Sequence, residues 1–138
     1  MPDPRPKIIQ DTGFAFDWDD KKVWKLPIKT EEMSIGKLLW HLDLPVWEKE
    51  GTDDWNLTPN EVLKNPKKEP THFKKIEKSD LKYPIDVMLN HGKYTLLDGY
   101  HRLAKAYRLE LKSVKTRKIP RKYIPQITTF LWKDYIKK

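Results

Sequence analysis

The 138-residue chain contains no cysteine. Disulfides, thiol nucleophiles and zinc or iron–sulfur sites built on thiolates are therefore excluded. No apolar run approaches the roughly 18 residues of a membrane span, and no signal-peptide-like apolar stretch follows Met1. The expectation is a cytoplasmic protein without a membrane partner. Histidines and carboxylates show no paired metal-ligand spacing, so no residue is assigned to a metal. Neither an internal repeat nor a low-complexity tract is present.

What the chain has instead is aromatic mass and charge. Six Trp, six Tyr and four Phe offset an apolar share of 38%, giving a core large pieces to bury. Charged residues make up 35% of the chain, a globular rather than a disordered composition. The net charge of +8 favours anionic company, whether nucleotide or nucleic acid, and equally serves solubility. The length fits one domain spanning residues 1–138.

Residues Met1 to Pro6 hold three prolines and read as an extended or frayed lead-in. Lys7 to Trp24 has no clear period and reads as loop with one short strand, within an N-terminal extension of residues 1–30. Ile35, Leu38, Leu39 and Leu42 have helical spacing, predicting a short helix over Ser34 to His41. Asp43 to Trp55 reads as irregular. Thr58-Pro59-Asn60-Glu61 is a capping box with proline at the first helical position, and Asn65-Pro66 ends that helix. Thr71 to Lys78 is a further helix with Phe73 and Ile76 inward.

From Tyr83 the pattern tightens. Ile85, Val87 and Leu89 alternate with Asp86 and Met88, predicting a half-buried strand. Asn90-His91-Gly92-Lys93 supplies turn chemistry for a hairpin returning through Tyr94 to Leu97. A helix over Gly99 to Leu109 follows, burying Tyr100, Leu103, Ala104 and Tyr107. A third strand, Ser113 to Ile119, should then lie parallel to the strand before the helix, giving a β-α-β crossover. Ile127, Phe130, Leu131 and Tyr135 predict a docked C-terminal helix over residues 123–138.

The strand-to-helix turn Asp98-Gly99-Tyr100-His101-Arg102 carries the chemistry. A glycine at a helix N-terminus leaves backbone N–H groups open, and the helix dipole adds positive potential. With a His and an Arg alongside, this is the equipment of a phosphate site. Asp98 can instead cap the helix, or orient His101, or hold Mg²⁺ between phosphates. His101 can also serve as general acid or base.

Tyr83-Pro84-Ile85-Asp86-Val87 followed by Gly92 to Ala106, with its Leu96-Leu97-Asp98-Gly99-Tyr100-His101-Arg102 turn, resembles the ParB/sulfiredoxin superfamily. The resemblance covers the motif-bearing core, residues 80–120. It implies an α+β fold: a small mixed sheet with a hairpin, a β-α-β crossover and packed helices. It also implies nucleotide phosphates bound at Asp98, Gly99, Tyr100, His101 and Arg102, with ATP or another nucleotide and Mg²⁺ as cofactors. The Asp-Gly-x-His-Arg form is most similar to the kinase-like branch. The catalytic cysteine of sulfiredoxin and the glutamate of ParB would both fall at Tyr100. Sulfinic-acid reduction by that route is thereby excluded, and without a helix-turn-helix domain chromosome partitioning is disfavoured.

The resulting expectation is a nucleotide-binding domain acting as phosphotransferase or nucleotide hydrolase on a small-molecule or protein acceptor. His101 and a carboxylate from Asp43 or Glu48 are the catalytic candidates. Trp40-His41-Leu42-Asp43-Leu44-Pro45-Val46-Trp47 reads either as core or as a substrate slot. A metal shared by His41, Asp43 and His101 is a weaker idea. Lys112, Lys115, Arg117, Lys118, Arg121 and Lys122 cluster around the third strand. They read either as a charge-protected edge or as a nucleic-acid surface aided by Tyr123. A non-catalytic partner-binding domain is the remaining alternative.

Overall fold

The computed structural model describes residues 3–52 and 55–132. In chain order they form α1 (Lys7–Thr12), β1 (Phe16–Trp18), α2 (Asp20–Trp24) and β2 (Glu31–Ser34). Two 3-10 turns follow, Ile35–Lys37 and Leu39–Asp43, then α3 (Pro59–Lys64) and α4 (Pro70–Lys78). The motif-bearing part is β3 (Ile85–Asn90), β4 (Lys93–Asp98), α5 (Tyr100–Arg108) and β5 (Ser113–Lys118). A 3-10 turn at Arg121–Tyr123, α6 (Ile124–Ile127) and β6 (Thr128–Leu131) complete the described chain. This is an α+β fold, and among the described residues no helix is long and apolar enough to cross a membrane.

The main sheet has the order β2-β5-β3-β4. Its hairpin turns at His91 and Gly92, both with positive φ (51° and 77°), as a tight two-residue hairpin requires. β5 pairs in parallel with β3, Asp86 opposite Arg117, and β2 closes the far side antiparallel to β5. Because β3 and β4 are antiparallel, β5 runs opposite to β4. The parallel relation expected between the strands flanking α5 therefore belongs to β3 and β5, with β4 and α5 together forming the connection. Arg117 decides this placement, since its guanidinium meets the Asp86 carboxylate only if β5 lies beside β3.

Both faces of the sheet are covered. On one, Ile85, Val87, Leu96 and Val114 pack with Leu103, Ala104 and Ala106 of α5, Ile76 of α4 and Val62 of α3. On the other, Met88 and Leu97 pack with Phe14, Phe16, Val23, Leu26, Ile119 and Ile127. β3 is consequently buried on both sides rather than one, and Leu89 rather than Asp86 or Met88 points to solvent. Along α5 the buried stripe runs through Ala106, leaving Tyr107 exposed.

The second layer contains several departures from the sequence expectations. Arg5 is buried, forking onto Asp3 and donating to the Phe14 carbonyl, so the proline-rich lead-in is fastened from Asp3 onward. The stretch Lys7 to Trp24 holds two short helices besides its strand. The Ser34 to His41 helix is replaced by two tighter 3-10 turns. Among the described residues the C-terminal helix is α6 alone; β-branched and aromatic residues after it form β6, paired with β1. Of the residues assigned to that helix, Tyr135 lies outside the described residues.

Capping behaves as the sequence indicates. Thr58 Oγ1 accepts from the Glu61 N–H at 3.1 Å while the Glu61 carboxylate accepts from the Thr58 N–H at 3.0 Å. The basic third strand does not behave that way. β5 is central, not an edge, and Arg117 is spent internally on Asp86 (2.7 Å), the Leu26 carbonyl (2.9 Å) and the Val23 carbonyl (2.7 Å). Lys118 pairs with Glu31 at 3.2 Å. Replacing Arg117 with Met leaves a buried carboxylate and two carbonyls unpaired. This should cost about 3–5 kcal/mol in urea unfolding, and a loss below about 1 kcal/mol would contradict the assignment.

Candidate functional site

Gly99 joins β4 to α5 with φ 118°, a conformation that L side chains rarely adopt. A Cβ there would stand 3.0 Å from Ile85 Cγ1 and 3.3 Å from its Cα. Glycine is thus demanded by torsion and by space together. Just before it the β3–β4 ladder shifts register, so that Asp86 stands opposite Asp98. Such an irregularity re-aims side chains at a strand end, and here it brings two carboxylates to the mouth of the turn.

Each carboxylate has its own arginine. Asp98 Oδ2 accepts from Arg102 at 3.0 Å and from the Trp24 indole N–H at 2.8 Å. Asp86 is held by Arg117. Burial pushes the Asp86 carboxyl above its ordinary range, against the pull of Arg117. Asp98 does not cap α5: the helix begins at Gly99 with no side-chain cap. Its first N–H groups therefore lack the intrahelical acceptors that later turns enjoy.

This turn forms one wall of a cleft of about 670 Å³. Ser79, Asp80 and Pro84 line it alongside the two charge pairs, as do Tyr100 and His101. Trp24 and Tyr83 stand at its rim, each 56% exposed. All five assigned binding residues, Asp98 to Arg102, share one turn of backbone and line the cleft, and burial pushes the Tyr100 phenol upward. Trp24 lies outside the motif, and Tyr83 lies in it without being assigned a contact.

His101 lies against Trp47, ring centroids 4.4 Å apart and planes within 14°. Burial, reinforced by His72, Lys75 and Arg102, pushes its pKa down to about 4. It is a neutral imidazole at neutral pH. His41, by contrast, is wholly enclosed: Nδ1 meets the Leu38 carbonyl at 2.7 Å and Nε2 accepts from the Leu96 N–H at 3.0 Å. Both its nitrogens are used in tying the 3-10 segment to β4, and burial lowers its pKa to about 4 as well.

Asp43 and Glu48 are not brought to the cleft. Asp43 is exposed and accepts from Asn60 Nδ2 at 2.7 Å. Glu48 sits behind the stack, its carboxylate 3.7 Å from His72 Nε2. His41, Asp43 and His101 do not converge, and among the described residues no group of three His, Cys, Asp or Glu is placed to hold a metal ion.

Two measurements follow from this geometry. Gly99→Ala should lose about 1–3 kcal/mol of stability, read by denaturant midpoint; an unchanged midpoint would remove the claimed constraint. His41 and His101 have folded pKa values near 4 against 6.5 for the free side chain. Between those values the unfolded chain binds more protons, so stability rises with pH and is lost as pH falls from 6.5 toward 4. Unfolding near pH 5 should take up about two protons through these groups, and a midpoint flat from pH 7 to 5 would oppose it.

No protein-family profile matches the chain, and no curated protein matches it either. Among solved structures, the crystal structure of sulfiredoxin from Arabidopsis thaliana is similar at 21% identity, covering 71% of this chain and 94% of that one with a TM-score of 0.35.

Proposed function

We propose that the cleft at the Gly99 turn binds a nucleotide, with its phosphates over the start of α5 and its base between the aromatic rims. The observation that carries this reading is the uncapped N-terminus of a nine-residue helix opening on a roomy cleft beside Arg102. Backbone N–H groups and the helix dipole supply an anion site that needs no further side chain. Trp24 and Tyr83, both largely exposed at the mouth, offer planar faces for a base.

Asp98 offsets Arg102 and Asp86 offsets Arg117, and Asp80 adds a third carboxylate to the lining. A triphosphate beside Asp98 needs a cation between them. Asp98 uses Oδ2 for both of its hydrogen bonds, so Oδ1 fits Mg²⁺, which takes one or two carboxylates plus phosphates and water. Bound there, Mg²⁺ would supply neutralisation of phosphate charge. His101 is the cleft-lining group suited to accept a proton from an acceptor hydroxyl or water, which makes phosphoryl transfer or nucleotide hydrolysis the reaction class. Asp43 and Glu48 have no place in this reading as direct bases.

A thermal-shift series with ATP, ADP, CTP and GTP, each with and without Mg²⁺, tests the reading. Ligand at a hundred times its dissociation constant adds about 2.7 kcal/mol and should raise the midpoint by several degrees. Arg102→Ala should abolish the shift, and Trp24→Ala should weaken binding about 10-fold through lost stacking. No shift with any nucleotide, or an equal shift in Arg102→Ala, would sink it. A steep loss of binding with salt would point instead to a polyanion on the surface lysines.

A further inference from the structure

His72 and His101 come from different helices, α4 and α5, yet their imidazoles lie nearly parallel, within 14° and with centroids 5.8 Å apart. Both also lie against the Trp47 indole, at 4.7 Å and 4.4 Å. Rings on opposite faces of one indole would be about 7 Å apart, twice the contact distance. The two histidines therefore share one face of Trp47 and meet edge to edge. His72 Nδ1 and His101 Nε2 are both buried and without a hydrogen-bond partner. His72 itself is only 6% exposed, so an unpaired ring nitrogen there is costly. At this spacing each orphan is the other's natural partner after a small tightening.

We propose that His72 and His101 form a buried imidazole relay that fixes His101 with its Nε2 protonated and its Nδ1 bare toward the cleft. The proton positions follow from the outer end. His72 Nε2 lies 3.1 Å from the Glu48 backbone carbonyl, which can only accept, so Nε2 carries the proton and, in the neutral ring, Nδ1 is an acceptor. His101 Nε2 must then donate to His72 Nδ1. That leaves the His101 Nδ1 lone pair free, and this is the nitrogen not enclosed by protein in a residue that lines the cleft. Imidazole geometry alone allows either tautomer; the backbone carbonyl of Glu48 selects one.

His72 is thus a positioning residue, acting through His101 and touching no ligand. Trp47 supplies the flat surface that holds the rings coplanar. A metal bridging the two nitrogens is not the better reading, since no third ligand stands nearby among the described residues. The relay deepens the proposed function, in that a bare Nδ1 is what a proton acceptor in the cleft requires, and its role there rests on that reading. Its existence does not.

The test is nitrogen-15 NMR of the histidine rings in the full chain without nucleotide, so that failure of nucleotide binding leaves the result intact. At neutral pH, His101 should appear as the Nε2–H tautomer, with coupling across the hydrogen bond to His72 Nδ1. His72→Asn keeps an acceptor near the Nδ1 position and should preserve that tautomer. His72→Phe keeps a ring on Trp47 but removes the acceptor, and should release His101 to the other tautomer or to a mixture. A wild-type His101 protonated at Nδ1 would overturn the proposal by itself, even if neither variant folds. So would an unchanged tautomer in folded His72→Phe.

Discussion

The buried guanidinium of Arg117 is the contact on which the rest of this structure leans. It joins β5 to β3 through Asp86 and reaches across to the carbonyls of Val23 and Leu26. Burying a cation is unfavourable unless every donor finds an acceptor, so β3, β5 and the end of α2 are positioned together or not at all. The position of α2 then carries to the cleft. Its last residue, Trp24, donates its indole N–H to Asp98, which in turn holds Arg102. A strand-pairing decision in the core thereby sets the rim of the candidate site.

That chain of contacts also explains the electrostatics of the cleft. Asp86 and Asp98 face each other across the bulged end of the hairpin, an arrangement that destabilises an unrelieved strand pair. Relief comes from two arginines of different origin, one in the sheet and one in the first turn of α5. The net charge of +8 is therefore not concentrated at the turn. In the proposed reading, attraction for an anion rests there on backbone N–H groups and on the dipole of α5, which no side chain caps.

The legible parts of the chain were those with local causes. The Thr58 capping box, the His91-Gly92 turn and the helix after Gly99 are each written in a few adjacent residues, and each forms where the residues say. What escaped was set by partners distant in sequence. Met88 and Asp86 look like the solvent side of β3 until Phe14, Phe16 and α2 cover them. Alternating Lys115 and Arg117 look like a protected edge until Asp86, 31 residues away, claims the second. Thr128 to Leu131 carry a helical period that loses to the pairing offered by β1. The candidate site divides the same way. Its turn is local and readable, whereas Trp24, Tyr83 and His72 enter through tertiary packing.

His41 and His101 show why residue type and a depressed pKa do not assign a role. His41 and His101 are both neutral, both depressed to about 4, and both pressed against a tryptophan. Hydrogen-bond capacity separates them. His41 spends Nδ1 on the Leu38 carbonyl and Nε2 on the Leu96 N–H, satisfying a donor on the outer edge of β4 that would otherwise be orphaned. Nothing remains for a ligand, so its function is structural. His101 buries Nε2 without a hydrogen-bond partner, and the residue lines the cleft. The difference between the two rings is made by which neighbours meet their nitrogens.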